Sequence, residues 1–331
     1  MRGHVTTATS FDLVLASGLH PDDAALVAPV LARLRVPIVA EATANLHLFP
    51  ELHPLFAYGG EQALKACQAK NILRIGAVPS WRFWRDLENR PEVAVTNYSR
   101  APFAGLARKE NVTTHPLEAL LELQAHGESS FELKAISPNF DAFPLSEPTW
   151  MRHLLQALPA GSRVFLGNSL PIREWNLAMQ LPAKDVHFYA NRGANGIDGI
   201  ISTFLGIAAS HAGESWLILG DLSALYDLAA PWIIDQMESR KLRIVIINNG
   251  GGKIFSRVAP LRDLPDKARE VIENRHSMSF EPFAKLWGMH YRIAAAPSDL
   301  TELPAEPIII EIRPDAAQTE SFWTAWQGVT R

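Results

Sequence analysis

The chain has 331 residues, 47% hydrophobic and 20% charged, which is enough for two domains with ample cores and excludes a disordered or fibrous protein. A net charge of −4 gives no electrostatic reason to expect nucleic acid or an anionic membrane as partner, so an anionic substrate would need a local basic cluster. The single cysteine, Cys67, rules out an internal disulfide and fits a reducing cytoplasm, while Met1-Arg2-Gly3-His4-Val5-Thr6 lacks a signal-peptide core and no apolar run reaches the ~20 residues of a membrane span.

In the first half, strand and helix patterns take turns. Phe11 to Ala16 reads as a strand, Pro21 to Arg33 as a helix with Asp22 and Asp23 in its first turn, and Val36 to Ala40 as a second strand. A helix from Glu61 to Ala69 and strands Ile72 to Ala77 and Val93 to Thr96 follow. This alternation implies a parallel, doubly wound sheet. No phosphate fingerprint appears here. Arg82 and Arg85, set among Trp81, Phe83 and Trp84 after the loop Gly76 to Ser80, either reach toward a site at the sheet's edge or form a solvated face over packed aromatics. His47 and His53 are too loosely spaced for a metal proposal, and Cys67 reads as a small buried apolar residue. Gly, Ser and Pro cluster over 127–148, which predicts a linker between a domain at 1–126 and another at 149–331.

The second domain carries the chemistry. Trp150 to Leu158 reads as an amphipathic helix, and the strand Arg163 to Leu166 ends in Gly167-Asn168-Ser169-Leu170, with Arg173 four residues after Ser169 on a short helical turn. The strand His187 to Ala190 ends in Asn191-Arg192-Gly193-Ala194-Asn195-Gly196-Ile197-Asp198-Gly199, whose glycines let backbone approach a ligand. The next helix, Ile200 to Ala209, is apolar nearly all round and is expected to be buried.

Two short branched strands, Trp216 to Leu219 and Ile244 to Ile247, are predicted to flank one helix in a βαβ unit. Such a unit brings Gly220-Asp221-Leu222-Ser223 and Asn248-Asn249-Gly250-Gly251 to the same sheet edge, where ligands of open α/β sheets bind. Asp221 and Asn249, 28 positions apart, can then share a hard cation such as Mg²⁺, which takes carboxylate, amide and carbonyl oxygens. The N–H groups of Gly220 to Ser223 suit a diphosphate. Four successive polar or Gly-rich strand ends would bring Arg173, Arg192, Asp221 and Asn249 toward one crevice.

Gly-Asp, 26 residues, then Asn-Asn resembles the diphosphate and metal site of thiamine-diphosphate enzymes. Gly167-Asn168-Ser169-Leu170 with Arg173, Asn191-Arg192-Gly193-Ala194 with Gly196-Ile197-Asp198-Gly199, Gly220 to Asp227, and Gly251-Gly252 with Ile254-Phe255 resemble the SEPHCHC synthases of menaquinone biosynthesis, for which Leu222 in place of a glycine is typical. The resemblance is tight over 163–256 and looser elsewhere. It implies two doubly wound α/β domains, a central one followed by a diphosphate-binding one. It also implies an enzyme that decarboxylates 2-oxoglutarate and adds the carbanion in a 1,4 sense to isochorismate, with thiamine diphosphate and Mg²⁺ or Mn²⁺ as cofactors.

By that resemblance Asp221, Asn249 and the Gly251 carbonyl hold the metal, and Asn168, Ile197, Gly220, Asp221, Leu222, Ser223, Asn249, Gly251 and Ile254 contact the cofactor, Ile197 as a wedge that bends it. Arg173 and Arg192 receive the substrates' carboxylates, a role for which guanidinium forks suit. Ser169 hydrogen-bonds the intermediate, Ile254 and Phe255 line the pocket, and Arg82 is the contact from the first domain, where Phe83 replaces one member of the family's basic pair. Sites of this family lie between chains, so at least a dimer is implied.

There are departures. Family members carry a preceding α/β domain with the glutamate that protonates the aminopyrimidine, and nothing before Phe11 matches it, so a separate pyrimidine-binding subunit is expected. Gly250 stands where relatives usually have a third Asn, and Pro231 lies early in the helix expected after Asp227. A non-catalytic cofactor-binding module, and another 2-oxoacid decarboxylase or carboligase of the superfamily, remain as alternative readings.

Overall fold

A computed structural model describes residues 10–65, 67–124, 133, 136–180, 184–238 and 241–329. It divides into two compact units. Among these residues the first runs to Pro138 and takes Met179, Gln180 and Val329, and the second comprises Asn139–Ala178 and Lys184–Gly328. Of the linker expected at 127–148, residues 127–132, 134 and 135 lie outside the described residues.

The first unit is built on five parallel strands, β1 (Leu13–Ser17), β2 (Ile38–Ala40), β3 (Asn71–Gly76), β4 (Ala94–Ser99) and β5 (Val112–Pro116), in the order β2-β1-β3-β4-β5. Successive side chains of a strand face opposite ways. Val14, Ala16, Ile38, Leu73 and Ile75 therefore share one core with the helix Pro21–Leu34, while Leu13, Leu15, Val39, Ile72 and Val95 share another with Phe83 and Trp84 of the helix Arg82–Asp86. This is the doubly wound arrangement that the alternating pattern predicts. β5 escapes the sequence pattern because its Val-Thr-Thr-His-Pro is an edge strand with little burial. The helix expected from Glu61 to Ala69 is found over Gly60–Lys65, and Cys67 beyond it is buried.

The second unit has six parallel strands, β6 (Ser162–Leu166), β7 (Val186–Tyr189), β8 (Ser215–Gly220), β9 (Leu242–Ile247), β10 (His290–Ala294) and β11 (Ile308–Ile312), in the order β10-β11-β9-β8-β6-β7. All six residues of β9 are buried, so both of its faces are covered, as expected for a central parallel strand. The chain leaves β6 toward β7 and returns to the other side of β6 as β8. This reversal makes the crevice between the ends of β6 and β8 the topological switch point, where ligands of such sheets bind. The backbone at Gly167, just after β6, comes so close to β8 that a Cβ there would sit 3.1 Å from the Ile218 carbonyl oxygen and the Leu219 Cα.

Two expectations for this unit need correction. The span between β8 and β9 is not one helix but a short α-helix, Asp221–Tyr226, and a 3₁₀ helix, Ala230–Gln236, with Pro231 in its first turn. Proline lacks an N–H and so restarts a helix more readily than it continues one. The helix Ile200–Ala208 is not wholly buried: Ile200, Ile201, Phe204, Leu205 and Ala208 enter the core, while Ser202 and Gly206 are exposed. Its small and hydroxyl residues fall on the outward face. No described helix is long and apolar enough to cross a membrane.

The ends of β9 and β11 are locked by Glu311, which is fully buried. Its carboxylate accepts from Asn248 Nδ2 at 2.9 Å, Arg313 Nε at 2.6 Å, the Tyr291 hydroxyl at 2.7 Å and the Phe280 N–H at 2.9 Å. Burial alone would raise this carboxyl, but the donors of Phe280, Tyr291, Asn248 and Arg313 outweigh it and hold the group below the usual carboxylate range. A depressed folded pKa gives stability that is present above the unfolded value of about 4.3 and lost as pH falls through the folded value. Glu311→Gln is therefore expected to cost about 1.5–3 kcal/mol at pH 7, and denaturant midpoints of the two proteins should converge as pH drops below about 4.

Candidate active site

Asp221 stands at the first position after β8, and the turn after β9 closes onto it. Its Oδ2 accepts the N–H groups of Gly250 at 2.8 Å and Gly251 at 2.9 Å, and its Oδ1 accepts that of Leu222 at 2.6 Å. His276 Nε2 lies 3.2 Å from the same Oδ2. Burial pushes the Asp221 carboxyl up against the pull of the Leu222, Gly251 and Gly250 N–H donors and of the nearby His276 ring. The Leu222 N–H, one of the donors expected to face a diphosphate, thus points at Asp221 itself. Gly251 has φ +134°, and a Cβ there would come within 2.5 Å of the Glu273 carbonyl oxygen, so only glycine fits this turn.

Asn249 follows β9. Its Nδ2 donates to both carboxylate oxygens of Glu147, at 3.1 and 2.9 Å, and its Oδ1 is buried with no hydrogen-bond partner among the described residues. An orphaned amide oxygen, on a turn whose next two N–H groups bind a buried carboxylate, is oxygen chemistry of the kind a hard cation takes, and the residues fit Mg²⁺ or Mn²⁺ on that ground. Among the described residues no group of three His, Cys, Asp or Glu side chains could hold a metal, so amide and backbone oxygens must complete any such shell.

The loops after β6 and β7 are tied together by Asn168. It donates from Nδ2 to the carbonyls of Ala194 at 3.2 Å and Gly196 at 2.8 Å, and its Oδ1 accepts from Arg192 Nη1 at 2.8 Å. Ser169 has φ +79°, a left-handed conformation rare for a side chain other than glycine and of a kind that clusters at functional sites. Arg173, on the helix Leu170–Ala178, donates to the Ser169 carbonyl at 2.6 Å. Ile197 is half-buried against the core formed by Phe165, Leu217 and Ile244. Ser223 is buried, whereas Ile254 is half-buried and Phe255 exposed on the 3₁₀ helix Lys253–Arg257.

Arg82 belongs to the first unit. It starts a helix whose first N–H groups, of Arg82 and Phe83, donate to Glu61 at 2.7 and 2.9 Å, and its exposed guanidinium pairs with Asp86 at 3.3 Å.

Three residues that the motif reading missed stand against the site: Glu147, His276 and Glu311. Glu147 and its neighbour Glu174 are both buried. Burial, ahead of the charge of Asp221, pushes the Glu147 carboxyl up to about 7, and burial with the Glu147 charge raises Glu174 well above the usual range. One signal was available in the sequence: Ser146-Glu147-Pro148 is a helix start, and a carboxylate in a first turn is ordinary there.

The two-sheet α/β fold is similar to part of benzoylformate decarboxylase from Polynucleobacter necessarius, with a TM-score of 0.64 covering 92% of this chain and 61% of that one at 16% identity. No protein-family model matches the chain. By sequence the chain is homologous to SEPHCHC synthases. It is 36% identical over 323 residues to the 2-succinyl-5-enolpyruvyl-6-hydroxy-3-cyclohexene-1-carboxylate synthase of Bdellovibrio bacteriovorus and 34% identical over 326 residues to that of Akkermansia muciniphila, covering 92% and 94% of this chain. The chain spans 60% of the length of each of these relatives.

Gly251→Ala tests the turn that closes on Asp221. Forcing a Cβ into this conformation is expected to cost about 1–3 kcal/mol, read as a lower denaturant midpoint. An unchanged midpoint would contradict the geometry.

Proposed function

We propose that this chain carries the diphosphate- and metal-binding part of a thiamine-diphosphate-dependent SEPHCHC synthase, joining 2-oxoglutarate to isochorismate in menaquinone biosynthesis in the cytoplasm. The observation that carries this reading is the meeting of Asp221 with the Gly250 and Gly251 N–H groups beside the unpartnered Asn249 Oδ1. The homology to SEPHCHC synthases supports it.

In this reading the cofactor supplies an electron sink for decarboxylation, and the protein binds, orients and tunes. Asp221, Asn249 Oδ1 and the Gly251 carbonyl would hold Mg²⁺ or Mn²⁺, with Gly220, Leu222 and Ser223 lining the diphosphate. Asn168, Ile197 and Ile254 would contact the cofactor, with Ile197, braced on the core, as the wedge beneath it. Arg173 and Arg192 would receive carboxylates of the dianionic substrates, Ser169 would donate a hydrogen bond to the reacting unit, and Ile254 and Phe255 would shield it from water. A pyrimidine-binding segment outside these 331 residues would supply the carboxylate that handles the aminopyrimidine proton, in at least a dimeric assembly.

Calorimetry of the chain with thiamine diphosphate and Mg²⁺ is expected to show binding that Asp221→Ala abolishes; binding that survives the substitution would refute the site. With a pyrimidine-binding partner supplied, Arg192→Lys is expected to lower kcat/KM for 2-oxoglutarate by roughly 10–150-fold, the equivalent of about 1.5–3 kcal/mol for a charged hydrogen bond. CO₂ release from other 2-oxoacids but not from 2-oxoglutarate would assign a different substrate.

A further inference from the structure

Glu147 has no part in the reading above. It is 1% exposed at the first position of the helix Glu147–Ala157, and its own N–H donates to Thr319 Oγ1 at 3.0 Å. Both of its oxygens lie within hydrogen-bond distance of Asn249 Nδ2, so the amide faces Glu147 with its nitrogen and Oδ1 is turned to the opposite side. There Oδ1 is buried and unpartnered among the described residues. Leaving a buried acceptor unmade costs about 1–3 kcal/mol, and an amide free to flip would exchange its ends to reduce that cost. The contacts of Nδ2 with both Glu147 oxygens oppose the exchange. The preceding Asn248 is held in a parallel way, with Nδ2 on Glu311 and on the Met278 carbonyl at 2.8 Å.

We propose that Glu147 is a positioning residue that selects the flip of the Asn249 amide in which Oδ1 faces the cation. The inference rests on the reading of Asp221 and Asn249 as cation ligands. Partners that orient a metal ligand from behind typically contribute 10–100-fold in metal affinity. Replacing the carboxylate by a carboxamide, as in Glu147→Gln, offers both a donor and an acceptor end, so the flip is no longer dictated.

The test is the affinity of the full-length chain for Mn²⁺ in the presence of thiamine diphosphate, read by electron paramagnetic resonance of free Mn²⁺ and independent of turnover. Glu147→Gln is expected to weaken Mn²⁺ binding 10–100-fold with an unchanged circular dichroism spectrum. Asn249→Asp should also weaken it, because two carboxylates then face each other. Combining E147Q with N249D should restore binding toward the parent value, since the introduced carboxamide can donate to one oxygen of the new carboxylate and leave the other for the cation. A merely structural Glu147 would give the same loss from E147Q in either background. Equal losses in both backgrounds, or no loss from E147Q while D221A abolishes binding, would overturn the proposal. Retention of Mn²⁺ affinity in D221A would instead overturn the underlying site.

Discussion

The site depends on one carboxylate bridging two strands. Asp221 ends β8, and its Oδ2 takes the N–H groups of Gly250 and Gly251 from the turn that ends β9. Parallel strands deliver their C-terminal ends to the same edge, so this contact is available to any βαβ unit of this kind. It is realised here because Gly251 adopts φ +134° and leaves no side chain in the way. The buried carboxyl is costly when charged, and the N–H donors offset part of that cost. A bound cation would offset more of it.

Around this contact, buried glutamates rather than apolar packing decide the orientation of the polar turn. Glu311 fixes Asn248 and Glu147 fixes Asn249, each arriving from an element distant in sequence. Buried polar groups tolerate few arrangements, because each unmet donor or acceptor is expensive in a low dielectric. The turn after β9 is therefore specified by which donors and acceptors can be satisfied, and the same constraint leaves the Asn249 oxygen as the end without a partner among the described residues.

Much of the fold was legible in the chain. Branched runs such as Ile244 to Ile247 marked central strands, and Gly220-Asp221 with Asn248-Asn249 marked the edge at which they end. The edge strands β5 and β10 were illegible because one face of each is polar. The single helix expected before β9 failed at Pro231, a local signal whose consequence outweighed the apolar pattern. Glu147 and Glu311 could not be found by spacing, since they reach the asparagines across 102 and 63 residues, and neither sits in an unusual local sequence.

The amide of Asn168 commits both of its ends to the loop after β7, two carbonyls on one side and the Arg192 guanidinium on the other. With both N–H groups and its oxygen engaged by the same loop, this side chain acts as a rigid coupling rod between the two loops. An anion that pulls on Arg192 also loads the backbone at Ala194 and Gly196, and through it the neighbouring Ile197. In the roles proposed for Arg192 and Ile197, charge capture and the seating of an apolar prop would in this way be parts of a single mechanical linkage.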